Sequence, residues 1–411
     1  MEEEVKRVQF AWGLVFLRTK RFQSIMDALG KRRISKPVGW LLLYIMPVAA
    51  AIGFFIFLSE VALLFTPQIS QVGVAIRGVT PLAYLGLPGI NPYIPWVDGW
   101  IALLVAMVVH EGAHGVVARS LGFPVKASGL LFFLIIPIGA FVEVDEEAVK
   151  VARARDSARI WAAGAGVNFV IGIAALLLLF AVVSTMTPLT TGLAVSQVTV
   201  PSPASKAGIM AGDFVKAVNG VSYNDTGQLS AAENSGELRP NQTVTISLWR
   251  DGATRELSNV TLVGNPDNSS RAYIGITSAG SDYLQNLVQF YTGSFFTRPT
   301  LYLCIPTFPQ CQDAVPFSGS NSAFYTSTYG ESLVPLAMLL YWLFFLNFNL
   351  AIFNSLPLGP LDGGQAFRLG VQALGRGRLS ETTLTRIGII TALAVVAIIA
   401  VVPMAAYLHL I

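Results

Sequence analysis

The sequence predicts a polytopic α-helical membrane protein with a separate β-rich domain. Of its 411 residues 53% are hydrophobic and only 12% are charged, whereas soluble domains contain about 25% charged residues. A hydrocarbon core about 30 Å thick takes about 20 apolar helical residues. Five apolar stretches are long enough to cross it as helices, and they lie at 39–65, 98–121, 160–186, 333–357 and 384–408.

A sixth apolar stretch is shorter and has a different character. Gly129 to Val142 reads GLLFFLIIPIGAFV and contains Pro137. Irregular backbone cannot face lipid, because its polar groups would lack hydrogen-bond partners. We therefore predict a re-entrant, β-like element that is inserted in the membrane and packed against protein.

The orientation follows from the basic residues. Lys and Arg are concentrated in 1–38, in Lys150–Arg159 and in Arg368–Arg386. Alternating the five spans puts all three patches on one side, which the positive-inside rule identifies as the cytoplasm. We thus expect an integral multi-pass protein of the plasma membrane, with a cytoplasmic N-terminus and with 66–97 and 187–332 outside.

The net charge of +3 is spread over these patches, and no basic stripe is interleaved with aromatic residues. The expected surroundings are a lipid bilayer, and no nucleic-acid partner is expected.

The exterior segment has features of an extracytoplasmic domain. Cys304 and Cys311, the two cysteines of the chain, both lie there, where a disulfide could persist. The segment also contains four glycosylation sequons, for which chance in a polar stretch is the alternative. The sequons begin at Asn224, Asn241, Asn259 and Asn268.

Residues 192–280 contain short alternating stretches, such as TVTISLWR and AYIGI, between turn residues. This pattern predicts a small β-rich domain. Residues 281–332, rich in Ser, Thr and aromatic residues, are expected to form an extracytoplasmic linker.

The chemistry is concentrated in one apolar run, which contains VVHEGAHG. His110 and His114 are four residues apart and share one face of a helix, with Glu111 beside them. This is the H-E-x-x-H arrangement, in which two histidines bind zinc and the glutamate acts as general base. Ionisable residues in a membrane helix normally face the protein interior for a functional reason. The alternative is a structural His–Glu hydrogen-bond cluster, and His409 is expected to be an interfacial residue.

A third metal ligand must come from elsewhere, because catalytic zinc usually has three protein ligands and one open position. Asp362, in NSLPLGPLDGGQAF, follows the fourth span. The second and fourth spans run in the same direction, so Asp362 reaches the side and depth of the histidines. Its Pro- and Gly-rich surroundings break the helix and let the carboxylate turn inward. The alternative is a solvated charge at a helix end.

The motifs HEGAH and NSLPLGPLDGG, with a PDZ-like insert between them, resemble those of the site-2 protease family of intramembrane metalloproteases. The resemblance implies Zn²⁺ held by His110, His114 and Asp362, with Glu111 activating water. GAGVNFVIG resembles the family's Gly-x-x-x-Asn element, which implies Asn168 near the substrate carbonyl, where it would donate a hydrogen bond to the developing oxyanion; packing is the competing role for this residue.

Two further elements carry the resemblance. IIPIGAFVEV resembles the family's membrane-inserted β element, which would align a substrate as an extended strand. SPASKAGIMAGDFVKAVNG, residues 202–220, resembles PDZ domains. PDZ domains bind a peptide as an added strand, so a peptide or a substrate ectodomain is an expected partner. The alternative is a domain that only controls access to the membrane.

The resemblance implies hydrolysis of peptide bonds within or near the transmembrane segments of membrane-anchored substrate proteins. The alternatives are a non-catalytic scaffold that uses its PDZ domain and a metal transporter, although transporters usually contain repeated halves. The predicted organisation is a basic cytoplasmic segment 1–38, a first helix 39–66, a catalytic core 98–186, a PDZ-like domain 192–280, a linker 281–332, a helix with the Asp362 motif 333–375 and a final helix 384–408.

Overall fold

Five helices are long and apolar enough to cross a membrane in the part of the chain that the structure describes. The structure is a computed structural model, and it describes residues 8–11, 14–19, 21–67, 69–133, 136–145, 148–149 and 152–411. The helices are α1 (Arg21–Gly30), α2 (Ser35–Leu63), α3 (Ile69–Arg77), α4 (Trp96–Ser120), α5 (Ala154–Val183), α6 (Pro203–Lys206), α7 (Thr226–Ser235), α8 (Ser281–Gly293), α9 (Leu333–Ser355), α10 (Asp362–Leu374) and α11 (Glu381–Tyr407).

The apolar helices are α2, α4, α5, α9 and α11, and they confirm the five predicted spans. α2 and α5 begin several residues before the predicted starts. Their first turns contain Ser35 and Lys36 or Arg155 and Asp156, so these turns are helical without being apolar. The protein is therefore a polytopic membrane protein. Contacts between residues divide the chain into two units, 1–176 with 341–411, and 177–340.

The first unit contains a four-stranded antiparallel sheet with the order β1-β2-β3-β4. The predicted β-like stretch forms the hairpin of β3 and β4, which confirms its strand character. The two N-terminal strands extend this hairpin, because β2 pairs with β3. The sequence predicted only a basic segment at 1–38 and did not predict these strands. The strands are β1 (Val8–Ala11), β2 (Leu14–Arg18), β3 (Val125–Phe133) and β4 (Ile136–Val144).

The short helix α1 packs against α4 beside the H-E-x-x-H motif. Met26 is only 3% exposed, and it lies so close to Gly115 that a Cβ there would overlap its sulfur. Arg119 Nε lies 2.8 Å from Asp27 Oδ1. Gln23 also donates a hydrogen bond of 3.0 Å to a β3 carbonyl. Helix α1 is thus fixed to the helix that carries both histidines.

Helices α2, α4 and α5 pack closely around a shared apolar core that includes Leu42, Val117 and Ile160. A Cβ on Gly166 of α5 would lie 2.8–3.0 Å from Leu42, including its backbone. Such an approach is possible only for a residue without a side chain. The buried Arg159 also links the helices, because it donates to the Lys36 carbonyl at 2.7 Å.

The second unit is built on a six-stranded antiparallel sheet, with the path β10-β9-β7-β6-β13 and β8 paired to β7. This confirms the β-rich prediction for 192–280, and TVTISLWR forms strand β9 from end to end. The strands of this unit are β5 (Thr187–Pro188), β6 (Leu193–Val198), β7 (Phe214–Val218), β8 (Val221–Ser222), β9 (Thr243–Arg250), β10 (Ala253–Thr261), β11 (Val263–Gly264), β12 (Ala272–Tyr273), β13 (Ile276–Gly280) and β14 (Tyr325–Thr326).

Residues 281–332 differ from the expected linker. They form α8 and several 3₁₀ turns, and β14 returns to pair with β5. Tyr291, Tyr302 and Phe317 are 0–1% exposed, and a disulfide joins Cys304 to Cys311. In the sequence these aromatic residues indicated only the composition of a linker. In the structure they form the core of this part of the unit, because they are buried against one another.

Candidate metal centre

The two histidines of α4 face the interior of the first unit. His110 and His114 are 7% and 8% exposed, and their ring centroids are 4.9 Å apart. Their spacing of four residues puts both rings on one face of the helix, as predicted. Most other residues of the helix are apolar, so the polar partners of the pair come mainly from other elements.

Asp362 reaches this face because α9 ends at Ser355 and a short turn redirects the chain into α10. The turn is tight: a Cβ on Gly363 would lie 2.5 Å from the backbone of Ser355. A Cβ on Gly364 would lie 2.7 Å from the Leu358 carbonyl carbon. Two glycines after the aspartate therefore allow the first turn of α10 to fold back onto the end of α9.

The three predicted ligand side chains meet. Asp362 Oδ2 lies 3.2 Å from His110 Nε2 and 3.1 Å from His114 Nε2, and the three side chains are 9–11% exposed. Their ligand atoms all lie within 4.8 Å of one another. In tetrahedral zinc sites with bonds of 2.0–2.2 Å, neighbouring ligand atoms are about 3.3 Å apart. Both Asp–His separations are close to this value.

The hydrogen bonds of the histidines indicate which atoms are available to a metal. His114 Nδ1 lies 2.7 Å from the Ile160 carbonyl oxygen, so Nδ1 donates its proton there. A neutral imidazole then has only a lone pair at Nε2, which faces a carboxylate. A shared cation, or protonation of the ring, would relieve this repulsion.

Gly164 of α5 favours the shared cation. A Cβ at this position would overlap His114 Nε2 and lie 2.5 Å from His110 Nε2. This is the space that an ion bound to both nitrogens would need, because zinc lies about 2.0–2.1 Å from imidazole nitrogen. The glycine keeps the volume between the ligands open, which a direct His–Asp ion pair would not require.

Glu111 lies at the boundary between this cluster and the β-sheet. Its Oε2 accepts a 3.0 Å hydrogen bond from the backbone N–H of Val142 in β4. Glu111 also lines a cavity of about 380 Å³ together with His114 and Asp362, and charged Lys126 is part of the same lining. The glutamate is therefore placed beside the metal ligands in a cavity large enough for water.

Asn168 is fully buried, and its amide Nδ2 lies 3.2 Å from His110 Nδ1. If His110 binds a metal through Nε2, its proton is on Nδ1 and needs an acceptor. Rotating the amide by half a turn would present Oδ1, which has no hydrogen-bond partner among the described residues. This contact supports an orienting role, while the predicted contact with a substrate carbonyl stays a prediction.

These features define a class: a metal-binding hydrolytic site built on membrane helices. The sequence matches the profile of peptidase family M50 over residues 99–398, well over half of the chain. The chain thus belongs to peptidase family M50, the site-2 protease family, and it is a membrane metalloprotease.

Two of three similar proteins have names that agree with this assignment. The chain is 28% identical to an uncharacterized protein of Methanocaldococcus jannaschii over 84% of its length and 74% of that protein. It is 26% identical, over 68% of its length and 89% of the relative, to a Mesorhizobium japonicum protein named as a candidate zinc metalloprotease. A Streptococcus pyogenes protein with a similar name is 27% identical over 44% of this chain and 42% of that protein.

Three contributors to the site were not predicted from the sequence. Gly164 was part of a recognised motif, but nothing in the sequence indicated that it faces the ligand nitrogens. The Ile160 carbonyl and the Val142 N–H are backbone groups. Nearly every residue has such groups, so the amino-acid sequence does not mark these two as part of the site. The resemblance of residues 135–144 to a membrane-inserted β element was the one available hint for Val142.

The Gly164→Ala variant tests the space for the ion. The added methyl group would overlap the ligand nitrogens, so we expect the metal content of the purified protein to fall to background. Metal analysis by mass spectrometry measures this. Gly370→Ala in α10 is the control, because a Cβ there meets nothing within 4 Å. Equal metal content in both variants would contradict the assignment.

The Asn168→Leu variant separates the two roles of this residue. Loss of a group that orients a metal-binding histidine typically lowers metal affinity about 10- to 100-fold, and we expect this change in a chelator competition titration. A residue that acts only on a substrate carbonyl would lower kcat and leave zinc affinity unchanged.

Proposed function

We propose that this protein is an intramembrane zinc metalloprotease, which cleaves membrane-anchored proteins within or near their transmembrane segments. The observation that carries the proposal is the meeting of His110, His114 and Asp362 beside Glu111. These residues lie on, or directly after, helices apolar enough to cross a membrane. Substrates should therefore reach the site from the bilayer.

Two histidines and one carboxylate suit zinc and leave a position for other ligands. His110 and His114 would bind through Nε2 and Asp362 through Oδ2. When bound, zinc polarises a carbonyl group and makes water nucleophilic near neutral pH. The contacts of His114 with Ile160, and of His110 with Asn168, keep the ligand nitrogens directed at one point.

Glu111 is the proton carrier in this proposal. Its carboxylate lines the same cavity as His114 and Asp362, so it can take a proton from the attacking water. The same oxygen can then return that proton to the leaving amine, as a positioned acid–base group does. Its hydrogen bond from Val142 N–H holds the carboxylate toward the β4 side of the cavity.

Strand β4 is the proposed guide for the substrate backbone. It is the terminal strand of its sheet, and its Val142 N–H donates a hydrogen bond to Glu111. A substrate strand paired along this side would pass the catalytic carboxylate. A transmembrane helix must unwind first, because its own hydrogen bonds hide its peptide groups. Gly, Asn or Pro residues in the substrate should therefore help cleavage.

The remaining proposals concern partners and position. We place the protein in the plasma membrane with 1–38 in the cytoplasm, on the basis of the Lys and Arg distribution. The disulfide between Cys304 and Cys311 supports an oxidising exterior for 187–332. We assign 192–280 a PDZ-like role in binding a substrate ectodomain, supported by its antiparallel sheet and the 202–220 motif.

Glu111→Gln separates the acid–base role from metal binding. The variant keeps the three ligands, so we expect a zinc content equal to that of the wild type. Removing a general acid–base group typically costs about 10²- to 10⁴-fold in rate. The measurement is cleavage of a purified transmembrane substrate in detergent.

Asp362→Ala is the complementary variant and should lose both zinc and cleavage. Cleavage by Glu111→Gln at the wild-type rate would contradict the acid–base role, and a zinc-loaded wild type that cleaves no substrate would favour the scaffold alternative.

A further inference from the structure

A second cavity adjoins Glu111 on the side away from the metal ligands. It has a volume of about 400 Å³ and lies between α1, α2, α4 and the β3–β4 hairpin. Its walls are apolar, with Phe22, Met26, Leu42 and Val109 among the lining residues. Pockets for small ligands usually have about 300–1,000 Å³, so this one can hold a bulky apolar group.

Two residues connect this cavity to the catalytic cavity. Glu111 and Val142 line both, and their hydrogen bond lies at the boundary. A group seated in the apolar cavity would consequently be next to the carboxylate that handles the proton. The cavity is therefore in the place that a side chain adjacent to the reacting peptide bond would occupy.

The floor of the cavity is kept open by Gly112. This residue lies in the middle of α4, where glycine costs about 1 kcal/mol relative to alanine. A Cβ at Gly112 would meet nothing within 4 Å, so no packing contact requires the glycine. Its absent side chain instead enlarges the cavity directly beside Glu111.

A substrate side chain fits this space for a geometric reason. Successive side chains of an extended strand point to opposite faces. For a strand that passes Glu111 along β4, one residue flanking the scissile bond faces away from the cavity and the other points into it. An engineered apolar cavity of about 150 Å³ already holds benzene, so 400 Å³ accommodates an aromatic or branched aliphatic side chain.

We propose that this cavity is a specificity subsite, which takes one large aliphatic or aromatic side chain of the residue flanking the scissile bond. Gly112 forms its floor and α1 its outer wall. The inference rests on the proposed protease function and adds the substrate class. Because α1 lies outside residues 99–398, this wall is contributed by a segment beyond the family match.

The first test is cleavage selectivity of the full-length, zinc-loaded protein in detergent. The substrates are transmembrane peptides that differ only in the flanking residues, with Ala, Val, Leu or Phe on either side of the bond. One methylene in an apolar pocket changes selectivity by about 10-fold or more. We expect the wild type to prefer Leu or Phe over Ala by at least that factor, on one side of the bond only.

Gly112→Leu should occupy the part of the cavity directly beside Glu111 and strongly reduce the Leu-to-Ala or Phe-to-Ala preference, with zinc content unchanged. Gly112→Ala should reduce it in part, and it keeps the test decisive if the larger variant does not fold. Gly388→Leu in α11 is the matched control, because a Cβ at Gly388 also meets nothing within 4 Å. A preference that Gly112→Leu leaves unchanged would overturn the proposal. An equal loss on all substrates would also overturn it.

A second test needs no turnover and so separates this inference from the protease function. The two native cysteines are bonded to each other, so an added cysteine is unique. In a Glu111→Gln background, Ile25→Cys on the cavity wall should form a disulfide with a cysteine at the preferred flanking position of the substrate. Ile389→Cys, on a residue 55% exposed against 53% for Ile25, is the control. Cross-linking at Ile25→Cys, with no cleavage by the wild type, would refute the protease function and support the binding site for the side chain. Equal cross-linking at Ile25→Cys and Ile389→Cys, or none at either, would refute the subsite.

Discussion

The structure depends on one electrostatic constraint: a carboxylate and two imidazoles meet in a buried place, where a bound cation or a protonated ring would compensate the carboxylate charge. Asp362 Oδ2 is within 3.2 Å of both ligand nitrogens. Buried charges are unfavourable unless they are paired or bind a metal. Neighbouring residues allow these three side chains to come together. Gly164 leaves the volume between them open, the Ile160 carbonyl fixes one ring, and the glycines after Asp362 let the carboxylate arrive.

The sequence predicted the parts of this arrangement that are encoded locally. The lengths of the apolar stretches predicted the five membrane helices. The spacing of His110 and His114 predicted that both side chains lie on one face of a helix. Asp362 could be selected because the directions of the spans restricted which acidic residue reaches the same depth. The short apolar stretch with a proline predicted one β-like element at 129–142, supported by the family resemblance, and the structure has two paired strands there.

Other features depend on contacts between residues that are distant in the sequence. The local periodicity of apolar residues does not indicate such contacts. The pairing of β2 with β3 joins segments more than 100 residues apart in the sequence, so 1–38 gave only a charge pattern. Residues 281–332 fold around Tyr291 and Tyr302, whose burial is invisible in a segment without apolar runs. The cavity beside Glu111 arises from four elements together. In the sequence, Gly112 is only an unfavourable residue in a helix. The fold shows that its missing side chain enlarges the cavity beside Glu111.

The central claim is that the chain holds one zinc ion through side chains of α4 and α10. X-ray absorption spectroscopy at the zinc edge on the purified protein tests it most directly. The account predicts one zinc per chain, two imidazole ligands and a carboxylate oxygen at about 2.0–2.2 Å, with the oxygen shell altered in Asp362→Ala. A spectrum with sulfur ligands, or one that Asp362→Ala leaves unchanged, would contradict it.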